Sequence, residues 1–136
     1  MATTKTANNY FYALGRRKRA TARVRLSGGK GVITINGKPA DEYLASSKYL
    51  MNELEKPFTV LEELKKFDVS AMVSGGGQSG QVTAIQLGIA KALVVMNDDL
   101  KATLKRADLL SRDPRERERK KFGLKGARKQ RQFTKR

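Results

Sequence analysis

The last 26 residues, Ser111 to Arg136, limit where this chain can build a core. They carry twelve Lys and Arg against Asp113, Glu116 and Glu118, a net of +9 out of +16 for the whole chain. Beyond Ala127, their apolar side chains are Phe122, Leu124 and Phe133. Three such groups bury too little surface to offset the roughly 1–2 kcal/mol per residue that ordering a backbone costs. A core must come from residues 10–110, which are expected to form one globular domain. Residues 111–136 are expected to be an extended basic tail that a polyanion orders, reaching roughly 85 Å at about 3.3 Å per residue. Residues 1–9 are polar and expected to be disordered.

The charge elsewhere is also uneven. Residues 1–38 hold nine basic residues and no acid, whereas residues 39–110 hold eight basic and ten acidic residues. Cationic ends around a near-neutral middle suit a nucleic-acid binder. The chain has no Cys and no His, which excludes disulfides, thiolate metal sites and imidazole catalysis. No cofactor, metal or catalytic residue is expected. The opening MATTKTANN lacks an apolar stretch of signal-peptide type, and no apolar run is seen to approach 18 residues. The expectation is a soluble cytoplasmic protein with no membrane partner.

Apolar periodicity orders the middle. Tyr10 to Leu14 reads as a short strand. Ala20, Ala22, Val24 and Leu26 alternate with Thr21, Arg23 and Arg25, which predicts a strand with an apolar inner face and a cationic outer one. Ser27 to Gly31 reads as a turn from which Val32–Ile35 pairs back, and Asn36-Gly37 has turn chemistry. Residues 41–64 look helical in two pieces interrupted by Pro57. Phe67, Val69, Ala71 and Val73 predict a further strand. From Gln81 the period becomes 3.6: Val82, Ile85, Ile89, Leu93 and Met96 form one stripe, with Ala84, Gly88 and Ala92 beside it. Asn97 is placed to cap a second helix bearing Leu100 and Leu104, and Asp113-Pro114 marks the exit. The expected fold class is α+β: two layers, one mixed sheet with helices packed on one face, plus the extended basic C-terminal tail.

Gly75-Gly76-Gly77-Gln78-Ser79-Gly80 satisfies GxGxxG between a predicted strand and a helix. A dinucleotide site would need an acidic residue ending a second parallel strand about twenty residues on. Here Asp98 and Asp99 begin a helix instead. A Walker loop fails because Gln81 and Val82 stand where Lys and Ser/Thr are required. The glycines, notably Gly76 and Gly77, are read as backbone that lets a phosphate approach a helix N-terminus. One segment of five, Gly15-Arg16-Arg17-Lys18-Arg19, joins two strands and carries four cations. A solvated loop would explain it alone, but Arg23 and Arg25 extend it into a stripe. Arginine pairs phosphate oxygens two at a time and stacks on bases, which suits RNA. Tyr10, Phe11 and Tyr12 lie close enough to offer a stacking ring. In the tail, Arg115, Arg117 and Arg119 alternate with Glu116 and Glu118, compatible with a short helix, and Gly123 and Gly126 favour an extended path beyond it.

The run Gly75-Gly76-Gly77-x-x-Gly80-Gln81-x-x-Ala84-x-x-x-Gly88-x-Ala90-Lys91-Ala92-Leu93 resembles the bacterial form of the small-subunit ribosomal protein family numbered nine. Gly15-Arg16-Arg17-Lys18-x-Ala20-x-Ala22-Arg23-Val24 is similar to that family's N-terminal motif. Arg112-Asp113-Pro114-Arg115, Glu118-Arg119-Lys120-Lys121 and Gln132 to Arg136 are similar to its tail. Ala13-Leu14 stands where the family usually has Gly-Thr, Gln86-Leu87 replaces a commonly basic pair, and Thr134 replaces Ser. The resemblance implies the fold of a ribosomal S-five second domain, a place in the head of the small subunit, and neighbouring ribosomal proteins as partners. It implies contact with small-subunit ribosomal RNA through Arg16, Arg17, Lys18, Arg19, Arg23, Arg25, Gly76, Gly77, Arg115, Arg119, Lys120, Lys121, Lys125, Arg128, Lys129 and Arg131. It further implies that Lys135 and Arg136 touch the anticodon stem-loop of tRNA in the peptidyl site. Two other classes compete: a DNA-compacting protein with a basic tail, and a nucleotide-dependent enzyme. Folded-RNA preference in a gel-shift competition separates the first, and a nicotinamide titration the second.

Overall fold

A computed structural model describes residues 9–63 and 65–134. The expectations for residues 1–8, and for Lys135 and Arg136, lie outside the described residues.

Strands β1 (Phe11–Arg17) and β2 (Ala20–Gly28) form a hairpin. The chain continues through β3 (Ile33–Ile35), β4 (Lys38–Pro39), α1 (Ala40–Tyr43), α2 (Lys48–Val60), β5 (Phe67–Ser74), α3 (Gln78–Met96) and α4 (Leu100–Arg106). The five strands make one mixed sheet in the order β1-β2-β5-β3-β4, with β3 and β5 parallel and the other neighbours antiparallel. Helices pack against it, so the α+β class and the mixed sheet hold. The inner face is built by strict alternation. Ala22, Val24, Leu26, Val69, Ala71 and Val73 are buried, while Arg23, Arg25, Ser70 and Met72 point out.

The expectation that Val32–Ile35 pairs back on the preceding strand is corrected. Instead β5, with its apolar Val69, Ala71 and Val73, takes the place between them. β2 and β3 therefore flank β5 like a hairpin opened by one strand. Asp68 holds the crossing loop: its Oδ1 accepts the backbone N–H groups of Lys30 (2.9 Å), Gly31 (3.1 Å) and Val32 (3.0 Å). These donors, Val32 foremost, lower the Asp68 pKa against an opposing effect of burial. Asn36 extends β3 with its side chain, donating to the Val73 carbonyl (3.2 Å) and accepting from the Val73 N–H (2.8 Å). Asn36 and Gly37 both have positive φ (51° and 80°), the primed turn their chemistry predicts.

Two further expectations are corrected. Pro57 does not interrupt its helix: α2 runs through it, and Pro57 is buried. The ring removes the N–H that would reach the Glu53 carbonyl, and the Gln86 side chain from α3 supplies a donor there at 2.9 Å. The break between the two helical pieces falls earlier, at residues 44–47. Helix α3 begins at Gln78, ahead of the Gln81 expected, and spans 19 residues. By length and composition it is apolar enough to cross a membrane, although the sequence is read as having no apolar run of that length, but most of it is buried inside the protein as the core helix.

The small-residue row of α3 explains the close approach of helix and sheet. A Cβ on Gly15 would lie 1.8 Å from the Ala84 carbonyl oxygen, and one on Gly88 would lie 2.5 Å from Val24 Cγ2. Glycine at both positions lets β1 and β2 lie directly on the helix backbone. Ile85, Ile89 and Leu93 are fully buried on this helix, as is Leu104 of α4. Asn97 ends α3 and accepts the Asp99 N–H (3.0 Å), so it acts in the turn between the helices, and Asp98 and Asp99 precede α4.

Candidate nucleic-acid interface

The β1–β2 turn is tighter than a loop of five. β1 runs through Arg17, so Gly15, Arg16 and Arg17 lie in the strand and only Lys18 and Arg19 make the turn, with Lys18 at φ 53°. This turn sits on the glycine loop. A Cβ on Gly75 would fall 2.5 Å from the Arg19 carbonyl oxygen, and Gly75 and Gly76 have φ of 75° and 65°. These two glycines are required by sterics. Gly77 differs: nothing lies within 4 Å of an added Cβ, and it is the N-cap of α3 with no side-chain cap. The first N–H groups of α3 emerge there, beside two cations.

The tail returns to this same end of the body. It forms no helix between Asp113 and Lys121, so the alternating Arg and Glu do not generate the short helix considered above. It also does not run straight. Leu124 and Gln130 form a bridge, and the Lys125 N–H donates to the Lys129 carbonyl at 2.8 Å, folding the chain back. A groove results, walled by Lys18, Arg19, Gly76, Gly77 and Gly80 on one side and by Arg117, Arg119, Lys120 and Lys125 on the other. Glu116 and Glu118 also line it. Glu118 is occupied by Lys121 and by Arg128 Nε (3.0 Å), and these interactions, Lys121 first, lower its pKa. Thus Lys18, Arg19, Gly76, Gly77, Arg119, Lys120 and Lys125 come together. Lys121 and Arg128 lie in the same tail fold, held by Glu118. Lys129 and Arg131 are exposed beyond it.

Arg17 and Arg115 have another task in this structure. Arg17 reaches from the end of β1 to Asp113 (3.3 Å) and donates to the Arg115 carbonyl. The Arg115 side chain grips Asp113 at 2.7–3.0 Å. The Arg115 side-chain bonds above all, then its backbone N–H and the nearby Arg17 charge, hold the Asp113 carboxyl far below the usual range. These bonds fix where the tail leaves the body. The sequence shows Asp113 only as part of an Asp-Pro exit signal, and its role as a latch is not visible there. Arg16, Arg23 and Arg25 have no ion-pair partner among the described residues, and Arg23 and Arg25 lie on the outer sheet face.

No cluster of three or more acidic metal ligands occurs among the described residues. The GxGxxG run also stands in the wrong frame for a dinucleotide, because α3 leads into α4 rather than a second parallel strand. A small α+β body whose described residues gather cations around one groove has the features of a basic nucleic-acid-binding protein.

The comparisons with known proteins make this specific. Residues 15–136 match the family model described as ribosomal protein S9/S16. The chain is 48% identical over 130 residues to the small ribosomal subunit protein uS9 of Malacoplasma penetrans, covering 96% of this chain and 99% of that one. It is 48% identical over 126 residues to the protein of that name in Mycoplasmoides gallisepticum, covering 93% and 96%, and 45% identical over 130 residues to that of Maridesulfovibrio salexigens, covering 96% and 99%. The chain belongs to the ribosomal protein S9/S16 family. It is a ribosomal structural protein, an RNA-binding part of the cytoplasmic translation machinery, and not an enzyme.

Proposed function

We propose that this ribosomal protein is a structural constituent of the small subunit, that it binds small-subunit ribosomal RNA in the subunit head, and that its tail tip contacts tRNA in the peptidyl site. The body corresponds in this reading to a ribosomal S-five second domain. The observation that carries the RNA contact is the convergence of Lys18, Arg19, the open Gly77 helix start and tail cations on one groove. Phosphate oxygens fit both the cations and the emerging N–H groups. Neighbouring ribosomal proteins of the head are the further partners.

Such a groove reads RNA by shape and backbone rather than sequence. Each neutralised phosphate releases counterions, so affinity falls steeply with salt. The test is filter binding of the full chain to small-subunit RNA across a salt series. The Lys18→Ala/Arg19→Ala variant is expected to flatten the log–log slope by about two, because each of the two side chains neutralises one phosphate. An unchanged slope overturns the groove assignment. For the tip, deletion of Thr134 to Arg136 is expected to speed tRNA release from purified subunits while assembly proceeds. An unchanged release rate counts against the tRNA contact. Competition by duplex DNA as strong as by folded RNA would favour the DNA-compacting class instead.

A further inference from the structure

The groove and the tail leave one surface unexplained, the outer face of the sheet. Helices cover only the inner face, and the strand register arranges the outer one in rows. Tyr12 lies opposite Arg25, which lies opposite Ser70; Leu14 lies opposite Arg23, which lies opposite Met72. Tyr12 is 49% exposed and Met72 60%, although both stand within strands. The guanidinium of Arg25 sits 5.1 Å from the centre of the Tyr10 ring, fixing that aromatic against the face. Arg23 and Arg25 both project on this side. Its acid is Asp68, at one end and already engaged by three backbone N–H groups.

We infer that this open sheet face is a stacking platform for unpaired RNA nucleotides, with a base on Tyr12 and the adjoining phosphates on Arg25 and Arg23. The inference rests on the RNA-binding reading above and adds a second interaction of different chemistry. Charge complementarity selects the occupant. An apolar protein partner would have to bury two arginines with no free acid of this chain to pair them, at a large desolvation cost. A paired RNA helix would offer phosphates but no free base for the aromatic ring. An unpaired stretch offers both, and stacking on an aromatic side chain is tolerant of base identity. The flat spacing of side chains on a sheet suits successive bases laid across strands.

The experiment uses the full chain with two RNA probes of equal length, a single-stranded oligouridylate and a duplex, at one ionic strength. Ultraviolet crosslinking followed by peptide mapping is expected to join the oligouridylate, but not the duplex, to the segment containing Tyr12. Tyr12→Leu is expected to weaken oligouridylate binding about tenfold while leaving the salt slope unchanged, because every cation remains in place. Tyr12→Phe keeps the ring and is expected to bind within about twofold of the parent. Loss of affinity for both probes alike in Tyr12→Leu, or no loss for either, overturns the platform. If Tyr12→Leu is silent while Lys18→Ala/Arg19→Ala still flattens the salt slope, the platform fails and the groove reading stands. If both variants are silent, both readings fail. Within reconstituted subunits, a Tyr12 crosslink to a ribosomal protein rather than to RNA also overturns the platform.

Discussion

The junction where β1 and β2 lie on α3 and the tail beyond Asp113 follow opposite rules. At the junction backbone meets backbone: Gly15 and Gly88 leave no room for a methyl group, and Val24, Ile85 and Ile89 beneath them are fully buried. In the tail Phe122 is 101% exposed and Phe133 84%, and order comes from surface pairs such as Glu118 with Lys121 and Arg128. Exposed pairs of that kind contribute little to stability. The body is therefore specified by burial, and the tail is held at its root by the Arg17–Asp113–Arg115 latch and along its length by charges that RNA can take over.

Substitutions test that contrast in order of expected effect. Gly15→Ala drives a Cβ into the Ala84 carbonyl, and because the obstacle is backbone the strands must part from the helix. A loss of about 3 kcal/mol or more is expected in urea unfolding. A loss under about 1 kcal/mol would mean the two layers slide freely. Phe122→Ala in the tail should change the same unfolding free energy by less than about 0.5 kcal/mol. A large change there would break the distinction.

Gln86→Ala comes next, with an expected cost of about 1–2 kcal/mol, because it strips the Glu53 carbonyl of its donor in a half-buried setting. Pro57→Ala restores the missing N–H, so the Gln86→Ala penalty should shrink in that background. Equal penalties in both backgrounds would show that the bond is not a repair of the proline defect.

Asp68 gives a smaller, pH-dependent effect. Its folded pKa is lowered, so its contribution is complete above the unfolded value of about 3.9 and is lost as pH falls through the folded value. Amide exchange at Lys30, Gly31 and Val32 should accelerate on acidification below about pH 4, relative to amides of α3. Asp68→Asn should remove that acid step. The smallest effect on global stability is expected for Asp113→Asn. It should leave the unfolding midpoint near that of the parent but speed limited proteolysis after Arg112 and Arg115, since the latch is loosened. Unchanged cleavage would mean that the tail root is held by something other than this carboxylate.

Much of the fold was legible because burial alternates so regularly. The inner rows of β2 and β5, the stripe of α3 and the Asn36-Gly37 turn all announce themselves at their natural periods. Strand order did not: nothing local in Val32–Ile35 says that β5 will intervene, and the Asp68 carboxylate that steers the crossing lies 36 residues beyond Val32. Pro57 misled for a related reason, since the donor that rescues its helix comes from Gln86 on another element. Among the candidate RNA-binding residues, Lys18, Arg19, Gly76 and Gly77 were recognisable as neighbours in kind, but their meeting with Arg119, Lys120 and Lys125 depends on how the tail folds back.

The amino-acid order alone determined that residues 10–110 carry the core, that α3 must be its centre, and that the cationic excess lies outside it, because hydrophobic burial and charge solvation act on side-chain type at short range. Only the tertiary structure decided which strands meet, why Gly75 and Gly76 must be glycine while Gly77 is left open, and that Arg17 anchors the tail. Those outcomes depend on the meeting of segments far apart in the chain, whose geometry no local pattern encodes.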